Sequence, residues 1–386
     1  MQPAPDVPSE VPSAADRRPA IAIYRGPLFN LSETFIRAHA QALVRYRPLL
    51  AGIEDKGNVP SELRTGLVVP RNAGERQLAR LGIWRGLAER LRSEHTCLIH
   101  AHFGPDALAA LPLARALDVP LIATLHGYDV TRNRTRMLAS GRLTWMRYAL
   151  RRRMLAREGA LFLTVSDALR KTALAQGFPA ARTRTHYLGV DLARFNGSSE
   201  REPGLVLHVG RLVEKKGTAG LIDAVARLPE AQLVVIGDGP ERGSLERRAA
   251  GLGERVRFLG ALPADDVAKW MRRAWLLAAP SVTAHDGDAE GLPTVIVEAA
   301  ASALPTVGTL HSGIPEAIVD GETGFLVPER HLEELAVRMA TLLGSAELRE
   351  RMGSAARQMA EDRFDLRVQS ARLEAIYDEV RGQIRP

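Results

Sequence analysis

The sequence predicts an α/β protein with two domains, each built around a parallel sheet. The chain has 386 residues, which is enough for two hydrophobic cores. In both halves, short apolar runs alternate with stretches of helical character, as expected for buried parallel strands connected by helices. A polar segment rich in helix and strand breakers, 196–204, separates the halves and is predicted to be the interdomain linker.

The composition is that of a soluble globular protein, with 46% hydrophobic and 25% charged residues. No apolar run is long enough to span a bilayer, and the Pro-rich start, 1–19, is predicted to be a disordered lead-in without the apolar core of a signal peptide. The single cysteine, Cys97, precludes an internal disulfide and fits a reducing compartment. We therefore expect a cytoplasmic protein, or one at the inner face of the plasma membrane.

The chain carries a formal net charge of +7. Such an excess attracts nucleic acid, anionic lipid or a phosphorylated substrate. The sequence contains no recognised nucleic-acid-binding motif, so nucleic acid is not expected as a partner.

The first predicted strand is 21–24, and a loop containing Gly26 follows it. Ser32 is a good N-cap for a helix over 33–44. A glycine loop between a strand and a helix start is a place where a phosphate or an acceptor can approach the backbone. A tight turn without a ligand explains Gly26 equally well.

Three histidines fall near the ends of the predicted strands in 97–129: His100, His102 and His126. Ligands of open α/β sheets gather beyond the carboxyl ends of the strands. Three imidazoles suggest zinc, but no cysteine or carboxylate stands beside them at a metal-ligand spacing, so no metal is expected. His126, which precedes a glycine, is favoured as a functional residue over a packing or capping histidine.

A basic stretch, 131–158, follows, in which arginines alternate with leucine, methionine, Trp145 and Tyr148. One interpretation is an interfacial helix that binds anionic lipid or a lipid pyrophosphate. The other is the solvated face of an ordinary amphipathic helix. The sequence favours neither. The next segment, 159–177, predicts a strand, Ser166 as N-cap and a helix ending at Gly177.

The second half opens with a strand that runs into Gly210, Arg211 and, before the next helix, Lys216. The planar guanidinium and the compact ammonium both suit a diphosphate. Further on, Gly237, Gly239 and Gly243 come close to a dinucleotide-binding fingerprint without matching it, because that pattern needs glycine at 242.

The most informative stretch is 275–299, which predicts a buried strand, a loop and a helix that begins at Pro293. The orphan amides at that helix start favour an anionic or oxygen-rich ligand, and they belong to Gly291, Leu292 and Thr294. Glu290 precedes the helix and Glu298 lies inside it, so two staggered carboxylates can accept hydroxyl hydrogens from different sugar rings of one ligand. Asp286 and Asp288 in the loop spell D-x-D, a metal-binding pattern elsewhere. We interpret them as loop residues.

These motifs together resemble glycosyltransferase family 4, whose members are retaining enzymes of the GT-B fold. The segment 290–307 contains the family's E-x7-E signature as Glu290 and Glu298, and 210–217 matches G-R-L-x-x-x-K-G. The run HSGIPEAIVDGETGFLV is similar to a second signature, with Ser312 in place of the commoner glycine. YRGPLFNLSETFI, HAHFG and TLHGYD resemble the exopolysaccharide and colanic-acid subgroup, although the double glycine common near Gly26 is missing. The resemblance covers about 20–380.

The resemblance implies two facing Rossmann-like domains, 20–197 and 198–364, with a last helix at about 365–386 that crosses back to the first domain. It implies transfer of a hexose from a nucleoside diphosphate sugar, with UDP favoured over GDP, to a hydroxyl of a lipid-linked or growing surface polysaccharide. No metal or other cofactor is implied. The site residues it implies are Arg211, Lys216, Gly210 and Gly26 near the diphosphate, His126 and Glu290 at the sugar, Gly291, Leu292 and Thr294 at the helix start, Glu298 at the ribose, and Gly260 to Leu262 at the base.

Two other functions stay open on the sequence. The chain can be a sugar-nucleotide-binding assembly protein without turnover, or a nucleotide-sugar epimerase of the same architecture. Hydrolysis of the donor in the absence of acceptor would show an active centre, although its absence alone would not prove a binding protein, and an altered free sugar would show an epimerase.

Overall fold

A computed structural model of the protein describes residues 16–30, 33–197 and 201–382. The described residues form two α/β units, each with one parallel main sheet, as predicted. The lead-in up to residue 15, the proposed N-cap Ser32 and the centre of the predicted linker, 198–200, lie outside the described residues. The exact domain boundaries stay a prediction.

The strands of the amino-terminal unit are mostly short and buried. They are β1 (Ala20–Tyr24), β2 (Pro27–Leu28), β3 (Arg47–Ala51), β4 (Glu54–Asp55), β5 (Leu67–Val68), β6 (Thr96–His102), β7 (Leu121–Leu125), β8 (Leu161–Thr164) and β9 (Thr183–Thr185). Seven of them pair in parallel in the order β5-β3-β1-β6-β7-β8-β9, while β2 and β4 form a small pair of their own. All five residues of β1 and of β7 are buried, because helices cover both faces of the sheet.

The helices of this unit connect the strands. They are α1 (Thr34–Ala42), α2 (Ala73–Arg80), α3 (Arg85–Ser93), α4 (Gly104–Leu117), α5 (Tyr128–Thr131), α6 (Arg134–Leu138), α7 (Leu143–Glu158) and α8 (Asp167–Ala175). Ser166 caps α8 as predicted, since its hydroxyl accepts a hydrogen bond from the amide of Leu169 at 3.2 Å. The predicted helix over 33–44 is two residues shorter at its carboxyl end.

The carboxyl-terminal unit repeats the plan. Its strands are β10 (Leu205–Val209), β11 (Gln232–Ile236), β12 (Val256–Gly260), β13 (Leu276–Ala279), β14 (Thr306–Thr309) and β15 (Gly324–Val327), and its helices are α9 (Thr218–Ala226), α10 (Arg242–Ala249), α11 (Ala264–Arg273), α12 (Thr294–Ala301), α13 (Leu332–Gly344) and α14 (Ala346–Phe364). The strand order is β12-β11-β10-β13-β14-β15. Pro293 is the N-cap of α12 and not its first residue, because its ψ of 109° is extended.

Both sheets have a point at which the strand order reverses. It lies between β1 and β6 in the first sheet and between β10 and β13 in the second. Loops at the carboxyl ends of the strands around such a point form the ligand crevice of open α/β sheets. Most of the predicted site residues lie in these loops, after β1, β7, β10 and β13. Thr294 and Glu298 instead lie in α12, and 260–262 lie at the end of β12.

A last helix, α15 (Leu366–Gly382), crosses back onto the first unit and confirms that prediction. The sequence of 350–380 predicts helix throughout, whereas the structure interrupts it at Asp365, where the backbone pairs with the first unit. The amide of Val190 donates to the carbonyl of Phe364 at 2.7 Å, and the amide of Leu366 donates to the carbonyl of Val190 at 3.0 Å. Among the described residues, no helix combines the length and the apolar character that crossing a bilayer requires.

Candidate active site

The crevice loops of the two units touch each other directly. A Cβ atom on Gly291 would lie 2.1 Å from the carbonyl oxygen of His126, and one on Gly127 would lie 2.9 Å from the carbonyl oxygen of Ala289. The hydroxyl of Ser166 donates to the carbonyl of Gly291 at 3.1 Å. The loop before α12 and the loop after β7 therefore form one continuous wall, with backbone against backbone.

The turn after β7 is held by a buried carboxylate. Asp129 accepts hydrogen bonds from the amides of His126 at 3.1 Å, Gly127 at 2.9 Å and, at the start of α4, Gly104 at 3.0 Å. Gly127 has φ 143° and ψ −88°, a conformation that side chains with a Cβ rarely adopt. This turn fixes the backbone of His126 against the second unit.

The His126 imidazole is half-buried and packs on Phe35 and Phe103, with ring centroids 4.8 and 4.5 Å away. Burial, with the nearby cation of Arg25, lowers the pKa of His126 to about 3, so the ring is neutral at physiological pH. Its Nε2 lies 3.0 Å from Nδ1 of His102. Nδ1 is therefore the ring nitrogen left for a ligand.

Lys216 and Glu290 form a buried ion pair, with 2.8 Å between Nζ and Oε1. The lysine stem lies along the backbone of Gly210, 3.2 Å from the position that a Cβ atom would occupy there. Burial by itself would raise the pKa of Glu290, but the charges of Lys216 and Lys215 outweigh it and lower that pKa to about 2. Glu290 is thus an ionised carboxylate beside a cation, and the next residue, Gly291, contacts the backbone of His126.

The backbone of Glu290 is anchored from the loop after β14. Its amide donates to Nε2 of His311 at 3.0 Å, and its carbonyl accepts from the hydroxyl of Ser312 at 2.5 Å. Because Nε2 of His311 accepts, its Nδ1 carries the proton and donates to Glu329 at 2.7 Å. Ser312, which departs from the commoner family glycine, therefore has a defined structural role.

Glu298 lies on α12, eight residues after Glu290, and is half-buried. Burial raises the pKa of Glu298 to about 7, only partly offset by Arg194 and by a hydrogen bond with Thr294. A carboxyl group without a strong cationic partner is free to bind hydroxyl groups of a ligand.

Arg211 follows Gly210 and is exposed. Within the described parts of the chain, its guanidinium has no hydrogen-bond or ion-pair partner. The two predicted diphosphate cations therefore differ: Lys216 is already paired with a carboxylate, whereas Arg211 is available.

The loop that carries Asp286 and Asp288 is held by cationic side chains of both units. Asp286 pairs with Arg132 at 2.5 Å, and Asp288 pairs with Lys215 at 3.0 Å. The amide of Ala289 also donates to the hydroxyl of Thr131 at 3.2 Å. Both carboxylates of the D-x-D run are engaged by cationic side chains, which fits their interpretation as loop residues.

The glycines after β11 serve packing. A Cβ on Gly237 would lie 1.8 Å from the carbonyl oxygen of Gly210, and one on Gly239 would lie 2.3 Å from that of Leu212. The loop after β11 thus rests on the loop that carries Arg211. This contact accounts for the glycines at positions 237 and 239.

The remaining predicted residues lie at the periphery of the central contacts. Gly26 is buried beside the Asp106 carboxylate, and its carbonyl accepts from the amides of Ile53 and Glu54 at 2.8 and 3.2 Å. Gly260 is the last residue of β12 and Leu262 follows that strand, and both are half-buried. Leu292 is buried, whereas Thr294 is half-buried at the start of α12. The roles predicted for these residues stay predictions.

Glu316 links the units at a second point that sequence reasoning missed. Its carboxylate accepts from the amides of Asp167 at 2.8 Å and Ala168 at 2.9 Å, at the amino end of α8, and from the hydroxyl of Tyr187 at 2.9 Å. A carboxylate is favoured at a helix start. Lys215, His311 and Glu329 were also missed. The only signal in the sequence was their position inside or next to the recognised motifs.

Two family models match the chain. Glycosyltransferase Family 4 matches residues 32–194, and Glycosyl transferases group 1 matches residues 190–359. Alpha-D-kanosaminyltransferase of Streptomyces kanamyceticus is 30% identical over 76% of this chain and 80% of that protein. The chain belongs to glycosyltransferase family 4.

Relatives within the family include enzymes of polysaccharide assembly. The glycosyltransferase WcaL of Salmonella typhimurium, which is assigned to colanic acid biosynthesis, is 36% identical over 62% of this chain and 60% of that protein. This family-4 chain therefore matches less than two thirds of the length of its colanic-acid relative. The finding confirms the predicted resemblance to the exopolysaccharide subgroup.

Solved structures confirm the GT-B fold. HepE from Anabaena, crystallised with UDP-glucose, superposes with a TM-score of 0.76 at 22% identity, covering 93% of this chain and 99% of that chain. At that identity the likeness shows the fold alone.

Proposed function

We propose that this family-4 protein is a retaining hexosyltransferase. It moves a hexose from a nucleoside diphosphate sugar, UDP before GDP, to a hydroxyl of a lipid-linked or growing surface polysaccharide. The observation that carries the proposal is the Lys216–Glu290 pair, with 2.8 Å between Nζ and Oε1, held by the loop that contacts His126. UDP is favoured because HepE was crystallised with UDP-glucose, and the acceptor class because WcaL is assigned to colanic acid biosynthesis.

The chemistry follows from where charge develops. The bond between the anomeric carbon and the diphosphate breaks, and its electron pair leaves with the diphosphate. Arg211, Lys216 and the amides at the start of α12 stabilise that negative charge in a preorganised site. The acceptor oxygen bonds to the anomeric carbon on the same face, and its proton goes to the departing diphosphate. The configuration is thereby retained.

Each remaining side chain has a positioning role in this proposal. His126 and Glu290 orient the sugar, and Glu298 accepts the ribose hydroxyl hydrogens. No metal is required, because lysine and arginine supply the positive charge. The pairing of Asp286 with Arg132 and of Asp288 with Lys215 supports this view.

Donor binding is the first test. We expect UDP-sugars to raise the thermal unfolding midpoint more than GDP- or ADP-sugars, because a ligand that binds only the folded state stabilises it by about 2.7 kcal/mol at 100 times Kd. With the preferred donor alone, slow release of UDP and free sugar of unchanged identity is expected. Stabilisation without hydrolysis or transfer to any acceptor would support an assembly protein, and an altered free sugar would show an epimerase.

We also propose that the protein docks on anionic membrane, where lipid-linked acceptors lie, through a basic apolar patch. Trp145 and Tyr148 of α7 are buried and do not face outward. The patch consists of exposed apolar side chains and arginines on α7, in the last turn of α2 and directly after α2: Leu78, Leu81, Ile83, Leu143, Leu150, Arg80 and Arg147. The two segments adjoin, since the guanidinium of Arg147 donates to the carbonyl of Arg80 at 3.3 Å.

Leu143 and Leu150 are 58% and 62% exposed and lie seven residues apart, on one helix face. Replacing both by serine should weaken partitioning onto phosphatidylglycerol vesicles at least about tenfold, because each loses an apolar side chain that the membrane would bury. Vesicle flotation at low and high salt measures this. Val337→Ser, a 60% exposed apolar residue of the second unit, is the matched control and should have no effect. Unchanged flotation of the double variant would refute the patch.

A further inference from the structure

Three buried histidines, His39, His100 and His102, lie close to one another and next to His126, and none has a role in the proposed transfer. His39 lies on α1, and His100 and His102 lie two residues apart on the same face of β6. One ring nitrogen from each histidine lies within 4.8 Å of those of the other two. The sequence could not show this cluster, because His39 is remote from the strand histidines along the chain and no metal was expected there.

The hydroxyl of Tyr377, on the crossing helix α15, lies at the point where two of these rings converge. It is 2.7 Å from Nδ1 of His100 and 3.1 Å from Nε2 of His39. The other nitrogen of His100 lies 2.7 Å from the hydroxyl of Thr124. His100 can therefore direct Nδ1 towards an ion while Nε2 donates to an outer partner, the usual arrangement of a metal-bound imidazole.

His102 adds an independent observation. Its Nδ1 faces Nε2 of His126, but its own Nε2 is buried and has no hydrogen-bond partner among the described residues. A small cavity of about 20 Å³ is lined by all three imidazoles of the cluster. That volume holds one water molecule or one ion.

We propose that His39, His100 and His102, with the hydroxyl of Tyr377, bind one divalent transition metal ion, zinc before others. Imidazole nitrogens suit zinc, cobalt and nickel, and three of them with one phenolic oxygen make up the four ligands of a tetrahedral site.

The ion would have a structural role outside the transfer reaction. It would join α1, β6 and α15, and so fasten the crossing helix to the first unit. With Nε2 of His102 on the metal, its Nδ1–H donates to Nε2 of His126 and leaves Nδ1 of that ring for the sugar. The alternative is a purely hydrogen-bonded cluster with one enclosed water, which needs no ion.

Cobalt provides the test, because tetrahedral Co²⁺ absorbs visible light strongly. The full-length protein, freed of any histidine tag and dialysed against chelator, is titrated with Co²⁺ and then with Zn²⁺. We expect one saturable tetrahedral Co²⁺ site per chain, its colour removed by one equivalent of Zn²⁺, and a higher unfolding midpoint with zinc. Absence of a one-to-one tetrahedral site in the wild type overturns the proposal, whatever the variants do.

Variants locate the site. His102→Gln should weaken Co²⁺ binding at least about 100-fold, since a ligand is lost, and Tyr377→Phe at least about tenfold. Circular dichroism checks their folding, and the phenylalanine variant decides if the glutamine variant does not fold. His331→Gln, an exposed histidine of the second unit, is the control and should bind as the wild type does. Wild-type affinity in both cluster variants would place the ion elsewhere and refute the assignment.

Discussion

Replacing Lys216 by methionine should lower kcat for sugar transfer about 10³-fold, because the variant loses a preorganised cation at the departing diphosphate. It should also destabilise the fold. The side chains of Lys216 and Glu290 are only 15% and 9% exposed. Removing one partner of such a pair leaves an uncompensated buried charge, at a cost of about 3–5 kcal/mol. Steady-state kinetics and chemical denaturation measure the two effects.

The pH dependence of that stabilisation has a defined sign. The pKa of Glu290 is lowered from 4.5 to about 2 in the folded protein. The carboxylate therefore stabilises the wild type above pH 4.5, and the contribution is lost as the pH falls through 2. In the Lys216→Met variant, less positive charge offsets the effect of burial, so the pKa of Glu290 is higher than in the wild type. The ionised Glu290 carboxylate then contributes less to folding stability at neutral pH.

A double variant separates stability from catalysis. Lys216→Met combined with Glu290→Gln removes both charges, so most of the lost stability should return while transfer stays low. Lys216→Met alone with wild-type kcat would refute the role of this lysine. Recovery of transfer in the double variant would show that the pair matters only for folding.

Glu290→Gln by itself tests the competing covalent mechanism, in which the carboxylate attacks the sugar as in a retaining glycosidase. We expect kcat to fall about 10²-fold with measurable transfer remaining, because an amide still hydrogen-bonds the sugar but no longer balances Lys216. Near-normal turnover would exclude the covalent role outright. Loss to background would contradict our expectation and leave that role open.

Gly291→Ala should reduce kcat/KM about 10²-fold while the protein remains folded. The added methyl group would lie 2.1 Å from the carbonyl oxygen of His126 and 2.7 Å from the side chain of Val165. The two units must therefore separate locally, and displacement by about 1 Å is enough to cause a loss of this size. Kinetics measure the loss, and small-angle scattering measures the opening of the crevice.

Gly344→Ala is the matched control, because a Cβ atom there meets nothing within 4 Å. Its activity should equal that of the wild type. Full activity of Gly291→Ala would mean that the contact between the two crevice loops is absent from the catalytic arrangement.

The elements that carry the site residues were predictable where one short stretch of sequence determines them. The strand and glycine turn before Arg211, the helix start after Glu290 and the N-cap Ser166 depend on residues close in sequence, and the structure places each element as expected. Small errors came from backbone conformation. Pro293 precedes the helix because its ψ is extended, and the tail breaks at Asp365 because Val190 pairs with its backbone.

The sequence by itself determined the α/β architecture, the family and the motifs that form the crevice, because strand and helix patterns and signature spacings are local properties. Only the tertiary structure decided that Lys216 pairs with Glu290 while Arg211 has no partner among the described residues, that His311 anchors the Glu290 backbone, and that His39 joins His100 beside Tyr377. Those contacts join segments far apart in the chain, and their charge states depend on burial. Both follow from how the two units pack.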